Sequence, residues 1–147
     1  MIYRIMIAIS ESMDAESWVQ MAQRLIPDKG EIRLRGMITI PEGNSLSEGA
    51  IKAQQLRDRF DALIETYPSI QQENWVRVGY DPYDRILTEM IESPVDLLIS
   101  EWHGPYDTTG GIPTDRILQH APCDVVLISS EPWNREGPVM VTLHGGP

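Results

Sequence analysis

Cysteine and long apolar runs are scarce in this chain. Cys123 is the only cysteine among 147 residues, which excludes an internal disulfide and suits a reducing compartment. Apolar runs such as Leu97 to Ile99 end within a few residues, whereas a membrane-spanning helix needs about 20. The apolar start, MIYRIMIAIS, has no small-residue cleavage site and predicts a strand, not a signal peptide. We therefore expect a cytoplasmic protein.

Basic residues are also few. The sequence has 12 lysines and arginines against 22 acidic residues, for a formal net charge of -10. Such a charge repels phosphate backbones, and no basic stripe gathers on any segment. We expect no nucleic-acid partner, and the main consequence of the acidity is solubility.

Five apolar segments alternate with segments of helical periodicity. This alternation is typical of an α/β domain with a parallel sheet and crossover helices. The first segment, Ile2 to Ile9, is apolar at nearly every residue, so we expect it in the middle of the sheet with both faces covered. The other predicted strands are Ile32 to Ile40, Asn74 to Val78, Val95 to Ser100 and Asp124 to Ser129.

Four helices are predicted between the strands. Ser12 or Asp14 is a suitable N-cap for the first helix. The apolar spacing predicts inward-facing side chains that include Leu25, Ile51 and Ile91. The predicted helices span Ala15 to Ile26, Glu48 to Tyr67, Tyr83 to Glu92 and Thr114 to His120.

Two loops lie where a ligand is expected. In open parallel sheets, ligands bind at the carboxyl ends of the strands, where the strand order reverses. The loops at that place are Ser10 to Asp14 and Ser100 to Thr114. The second begins SEWHGPYDTTGG, which contains glycines but no lysine or arginine.

Phosphate binding is disfavoured in this second loop. A phosphate cradle uses backbone N–H groups, usually helped by cations. Glu101 adds bulk and negative charge, while Pro105 and Pro113 remove donors. Two interpretations stay open: a simple turn whose glycines take positive φ, or a reworked ligand site in which Trp102 and His103 contact a base.

Two segments resemble the universal stress protein family. ILQHAPCDVVLI, from Ile117 to Ile128, is similar to the family's closing phrase, and VRVGYDPYDRILTEMIESPVDLLIS, from Val76 to Ser100, is similar to its middle. The resemblance covers Tyr3 to Ser129 in element order. It implies an open five-stranded parallel sheet of order 3-2-1-4-5, with helices on both faces, of the adenine nucleotide alpha hydrolase-like type. It also implies pairing of two copies through the last strand.

One branch of that family binds ATP through a pattern that is degraded here. The pattern has an Asp after the first strand, then Gly-x-x-Gly, nine residues, and Gly-Ser or Gly-Thr after the fourth. Ser10 stands at the Asp position and Glu101 at the first Gly, while Gly104 keeps the second. Six residues separate Gly104 from Gly111, and Ile112 replaces the Ser or Thr.

A retained ligand site would use residues from both loops. The resemblance allows an adenine nucleotide but requires no cofactor. Ser10 to Ser12, S-E-S, weakly resembles the Ser-x-Ser signature of stress-protein domains in potassium-sensor kinases that bind cyclic di-adenylate; a helix cap is the alternative. The candidate ligand residues are Ser10, Glu11, Ser12, Ile38, Trp102, His103, Gly104 and Gly111.

The last residues suggest a larger protein. GPVMVTLHGGP, from Gly137 to Pro147, resembles the opening of a second stress-protein domain. Glu101 to Gly104 and Ala121 to Val125 resemble tandem domains in the cytosolic tails of amino-acid permeases and other transporters. We thus expect one domain over 1–131 and a linker with an extra strand, the start of a truncated second domain, over 132–147. Alternatively, Val139 to Leu143 is a sixth strand that pairs with another copy.

Catalysis and metal binding are not expected. No G-x-S-x-G elbow is present, and a Ser10 and His103 dyad at one end of the sheet is the only nucleophilic pair in view. His120 and Cys123 do not have the spacing of a specific zinc site. Glu89 and Glu92 lie at helix-surface positions, where we expect their charges to be solvated.

The sequence therefore predicts a non-catalytic regulatory, sensing and dimerisation domain, linked to a transporter and acting as a C₂ dimer by default. The alternative is a stress protein that binds ATP, AMP or a cyclic dinucleotide through a rearranged phosphate loop, with a slow nucleotide hydrolase behind it.

Overall fold

Five parallel strands form one sheet in the order β3-β2-β1-β4-β5. The computed structural model describes residues 2–10, 14–80, 83–102 and 114–129. This order confirms the one that the family resemblance implies, and the parallel pairing confirms the prediction made from the alternating pattern. The strands are β1 Tyr3–Ser10, β2 Gly30–Thr39, β3 Trp75–Gly79, β4 Leu97–Trp102 and β5 Asp124–Ser129. The predicted extra strand at Val139 to Leu143 lies outside the described residues.

The helices cover both faces of this sheet. The first two helices contribute Trp18 and Phe60 to one apolar cluster. The other two contribute Met90 and Ile117 to a second cluster on the opposite face. The helices are α1 Ala15–Leu25, α2 Ala50–Thr66, α3 Tyr83–Glu92 and α4 Thr114–His120, with a 3₁₀ turn at Leu46–Gly49 before α2.

β1 is the central strand, as its sequence predicts. Ile5, Ile7 and Ile9 pack into the cluster under α1 and α2, while Met6 and Ala8 pack into the cluster under α3 and α4. All five side chains are at most 1% exposed. β1 pairs with β2 on one side and with β4 on the other. A strand buried on both faces favours apolar side chains throughout, because neither face meets water and a buried polar group needs a partner.

Three predicted inward-facing residues are instead on the surface. Leu25 is 48% exposed, Ile51 73% and Ile91 68%, so these predictions were wrong. Ile51 and Ile91 lie off the buried stripes of their helices, since the neighbouring Ala53 and Met90 are at most 1% exposed. Leu25 is the last residue of α1. On α1 the buried stripe is Ala15, Trp18, Val19 and Ala22.

Two arginines on β2 lie in the interior, where the sequence predicted none. Arg35 is 3% exposed and Arg33 8%. The Arg35 guanidinium pairs with Glu89 on α3, with Nε 2.7 Å from Oε1 and 2.9 Å from Oε2. Trp75 Nε1 donates to the same carboxylate at 2.9 Å. Glu89 is therefore an anchor of α3 and not the solvated surface charge predicted from its spacing.

Backbone carbonyls and an aromatic ring also contact the buried Arg35 side chain. Arg35 Nη1 donates to the carbonyls of Leu34 at 2.9 Å and Glu73 at 3.1 Å. Its guanidinium carbon also lies 5.5 Å from the centre of the Trp75 ring, within the range of a cation–π contact. These hydrogen bonds and the paired carboxylate offset the cost of burying the Arg35 charge.

Glu89→Ala should lower the free energy of unfolding by roughly 3–5 kcal/mol, because it leaves the Arg35 charge buried without its anion. Chemical denaturation measures this change. Glu92→Ala, which removes an exposed carboxylate from the same helix, is the matched control and should shift stability by about 0.5 kcal/mol or less. Equal effects of the two substitutions would contradict this role of Glu89.

Candidate functional site

The order in which the strands are added to the sheet changes direction at β1. From β1 the chain runs outward through β2 to β3, and β4 then returns to the other side of β1. The carboxyl ends of β1 and β4 are therefore neighbours. This is the position where parallel sheets of this kind bind ligands.

A hydroxyl and a carboxylate meet at these two strand ends. Ser10, the last residue of β1, donates from Oγ to Glu101 Oε2 on β4 at 3.1 Å, across 91 residues of sequence. Glu101 is only 5% exposed. Burying a carboxylate is costly unless it accepts a hydrogen bond. The hydrogen bond from Ser10 therefore holds this acidic side chain in place where the strand order reverses.

Glu101 is the functional candidate that the sequence-based list of ligand residues omitted. The sequence did contain a signal for Glu101. A carboxylate that directly follows the buried residues Leu97 to Ser100 needs a hydrogen-bond partner. The register between β1 and β4 supplies that partner: Ile7 lies opposite Ile99, which brings Ser10 level with the end of β4.

Ile38 lies near this edge but with its side chain inside the core. It follows Met37, the register partner of Ser10, and is 1% exposed. A Cβ on Gly49 would lie 3.3 Å from Ile38 Cγ2 and 2.5 Å from Val78 Cγ1. The 3₁₀ turn thus rests directly on β2 and β3, and the absence of a side chain at Gly49 permits this close approach. A ligand contact by Ile38 stays a prediction.

Most of the other predicted ligand residues lie outside the described part of the chain. These are Glu11, Ser12, His103, Gly104 and Gly111. Trp102 ends β4, and its side chain is also outside the description. The Ser10 and His103 dyad is therefore untested.

Asp14 is the N-cap of α1. Its carboxylate accepts from the Ser17 backbone N–H at 3.4 Å and from the Ser17 hydroxyl at 2.7 Å. The hydrogen bond from the Ser17 hydroxyl lowers the pKa of Asp14 below its ordinary value. Of the two caps predicted for this helix, the structure uses Asp14.

Cys123 packs beside Met90, at the edge of the cluster under α3 and α4. Cys123 is half-buried, and its Sγ lies 3.9 Å from Met90 Sδ. Burial, assisted by the neighbouring Asp124 charge, raises the pKa of Cys123 to about 11. Within the described ranges, no three His, Cys, Asp or Glu side chains are arranged to hold a metal ion.

Cys123 should react slowly with iodoacetamide in the native protein. A thiol pKa near 11 leaves roughly 100-fold less thiolate at neutral pH than an unperturbed thiol would have. Because the thiolate is the nucleophile, the rate of alkylation falls with it. The pH dependence of the native alkylation rate measures this, with the denatured chain as control. A native rate that levels off near pH 8.5, the pKa of a free cysteine, would contradict the assigned environment.

A family model and two solved structures agree on the kind of domain. The model of the universal stress protein family matches residues 1–129. The chain belongs to this family. No curated protein is significantly similar to the chain.

The solved structures share the fold at low identity. Universal stress protein UspA from Lactobacillus plantarum is 18% identical, with a TM-score of 0.53 over 86% of this chain and 97% of that one. The hypothetical protein MJ0577, solved for structure-based assignment of its biochemical function, is 14% identical, with a TM-score of 0.56 over 89% and 98%. The family resemblance and the nucleotide-hydrolase-like α/β fold expected from the sequence are thereby confirmed. None of the helices described is both long and apolar enough to cross a bilayer.

Proposed function

We propose that this universal stress protein domain is a non-catalytic cytosolic regulatory module that senses and signals through contacts between copies, without using a nucleotide phosphate. The observation that carries the proposal is the buried Glu101 carboxylate at the strand reversal. A phosphate would be received at that place in a fold of this kind. The residues present do not suit that group, since one of them brings a negative charge of its own.

The proposal that the domain is not an enzyme is supported by the same contact. The Ser10 hydroxyl, the one nucleophile singled out at this edge, donates to Glu101. An activated serine instead needs a base that is itself oriented by a third group. The Ser10 hydroxyl is thus held by a buried carboxylate on the neighbouring strand.

The two edges of the sheet differ in a way that supports dimerisation through β5. At the β3 edge, Arg57 Nη2 on α2 donates to the Val76 carbonyl at 3.4 Å, and Arg77 lies over the Trp75 ring at 5.4 Å. Cationic side chains along an edge strand discourage pairing with another chain. β5 instead carries apolar side chains on both faces: Val125, Val126, Leu127 and Ile128.

β5 has apolar side chains that a second copy of the chain would bury. Val126 and Ile128 are only partly buried, although they pack against the cluster under α1 and α2. A C₂ interface brings the same surface from both copies together. Pairing of two β5 strands would complete the burial of these side chains.

Val126→Lys should weaken the dimer by roughly tenfold or more, because a charge placed in an apolar interface costs at least 1.4 kcal/mol. Sedimentation velocity over a concentration series measures the change. Val78→Lys is the matched control, since Val78 is also a half-buried apolar residue of an edge strand, and it should leave the dimer intact. A monomeric wild-type protein, or equal weakening by both substitutions, would contradict pairing through β5.

We also propose that the domain serves a larger, transporter-linked protein. Only sequence supports this: the phrases Glu101 to Gly104 and Ala121 to Val125, and the resemblance of 132–147 to the start of a second domain. The natural transcript tests it directly. A reading frame that continues into a second stress-protein domain supports the proposal, and a stop codon directly after Pro147 contradicts it.

The alternative is a stress protein that binds ATP, AMP or a cyclic dinucleotide through a rearranged loop. The position of Ser10 at the strand reversal favours it, because folds of this kind bind their ligands there. A ligand that binds only the folded state raises the melting temperature by mass action. A saturable rise with ATP, AMP or cyclic di-adenylate would establish this alternative.

A further inference from the structure

β3 is the outer strand of the sheet on the side opposite β5. The Gly79 carbonyl accepts from the N–H of Ile40, just beyond β2, at 2.9 Å, so this carbonyl faces β2. Because carbonyl directions alternate along a strand, the carbonyls of Val76 and Val78 face outward, away from the sheet. Outward peptide groups of this kind are the template on which a strand of another molecule pairs.

The residues of β3 favour such pairing. Trp75, Val76 and Val78 are aromatic or β-branched, which are the residue types favoured in strands. Tyr80, directly after the strand, is 49% exposed. If both edges of the sheet were open, β5 would join two copies and β3 would join these pairs into a chain that does not close. A domain that stops at a dimer therefore requires a closed β3 edge.

Arg57 on α2 covers one of the outward carbonyls of β3. Its Nη2 donates to the Val76 carbonyl at 3.4 Å. Gly36, opposite Val76 on β2, makes this contact possible, because a Cβ there would lie 2.7 Å from Leu56 Cδ2 and 2.9 Å from Val76 Cγ2. The absence of that side chain lets α2 approach the sheet closely at Leu56. Arg57, the next residue, thereby reaches the edge.

The other edge of the sheet has a different composition. β5 itself contains no basic residue. The arginine of the neighbouring α4, Arg116, forms an ion pair with Asp84 on α3. The contrast between the two edges favours pairing of copies at β5 over pairing at β3.

We propose that Arg57 limits assembly to the β5 dimer by capping the β3 edge. A strand that paired with β3 would have to displace the guanidinium from the Val76 carbonyl. In a symmetric pairing of two β3 edges it would also meet the same positive charge on the second copy. This inference rests on the proposed function, because pairing through β5 is the assembly that Arg57 limits.

The test compares two arginine substitutions at this edge in the full chain. Arg57→Ala and Arg77→Ala each make the net charge of -10 more negative by one unit, which by itself disfavours association. Arg77 is the matched control, because it lies over the Trp75 ring on the face of the sheet opposite α2. Sedimentation velocity over a concentration series measures the size of the assembly, and circular dichroism verifies folding.

The expected result is a gain of assembly that is specific to Arg57. Arg57→Ala should form species larger than the dimer, with a weight-average mass about twofold or more above that of the wild type. Arg77→Ala should sediment as the wild type does. In Arg57→Ala combined with Val126→Lys, β3 is the open edge, so this variant should form dimers at concentrations where Val126→Lys alone dissociates.

Two results would overturn the proposal. The first is a folded Arg57→Ala that sediments as the wild type does at every concentration. The second is an equal gain in Arg77→Ala, which would assign the protection to charge along the edge instead of the cap. Should Arg57→Ala fail to fold, Arg57→Met is subject to the same expectation, because it keeps the apolar stem and removes the donor.

The failure of this inference is separable from that of the proposed function. Sedimentation of the wild type and of Val126→Lys reports pairing through β5 by itself. If the wild type is monomeric, the β5 dimer is wrong, and dimers of Arg57→Ala would still establish the cap. If the wild type is a β5 dimer and Arg57→Ala does not enlarge it, only the role of Arg57 is wrong.

Discussion

The coverage of β1 on both faces is the constraint on which the rest of this structure depends. With Ile5, Ile7 and Ile9 on one side and Met6 and Ala8 on the other, β1 is stable only between two layers of helices. α1 and α2 supply one layer, and α3 and α4 the other. Because β1 is central, its last residue, Ser10, lies beside the end of β4 and meets Glu101.

Two buried carboxylates in this framework have different consequences. Glu89 meets Arg35 and Trp75, so its charge is neutralised within the fold and attaches α3 to β2. Glu101 accepts from the Ser10 hydroxyl, which joins the ends of β1 and β4. The first carboxylate therefore attaches a helix to the sheet, while the second joins two strands where the strand order reverses.

Local patterns predicted the parallel sheet and its central strand, and the family resemblance implied the strand order. An unbroken apolar strand identifies the centre, and helices alternating with strands identify parallel pairing. The sequence did not predict the pairs that join distant segments, since Arg35 and Glu89 are 54 residues apart and Ser10 and Glu101 are 91 apart. Their meeting depends on register and on where a helix crosses. A charge within a buried strand was the available signal, because such a charge must have a partner.

Native mass spectrometry of the gently purified, untreated protein tests the central claim most directly, because it reports copy number and bound small molecules together. The account predicts a dimer whose mass equals that of two chains, with no phosphate-bearing ligand attached. A species whose excess mass matches one nucleotide per chain, released on denaturation, would contradict it. Glu101 would then accommodate a phosphate after all, and the domain would belong with nucleotide-binding stress proteins.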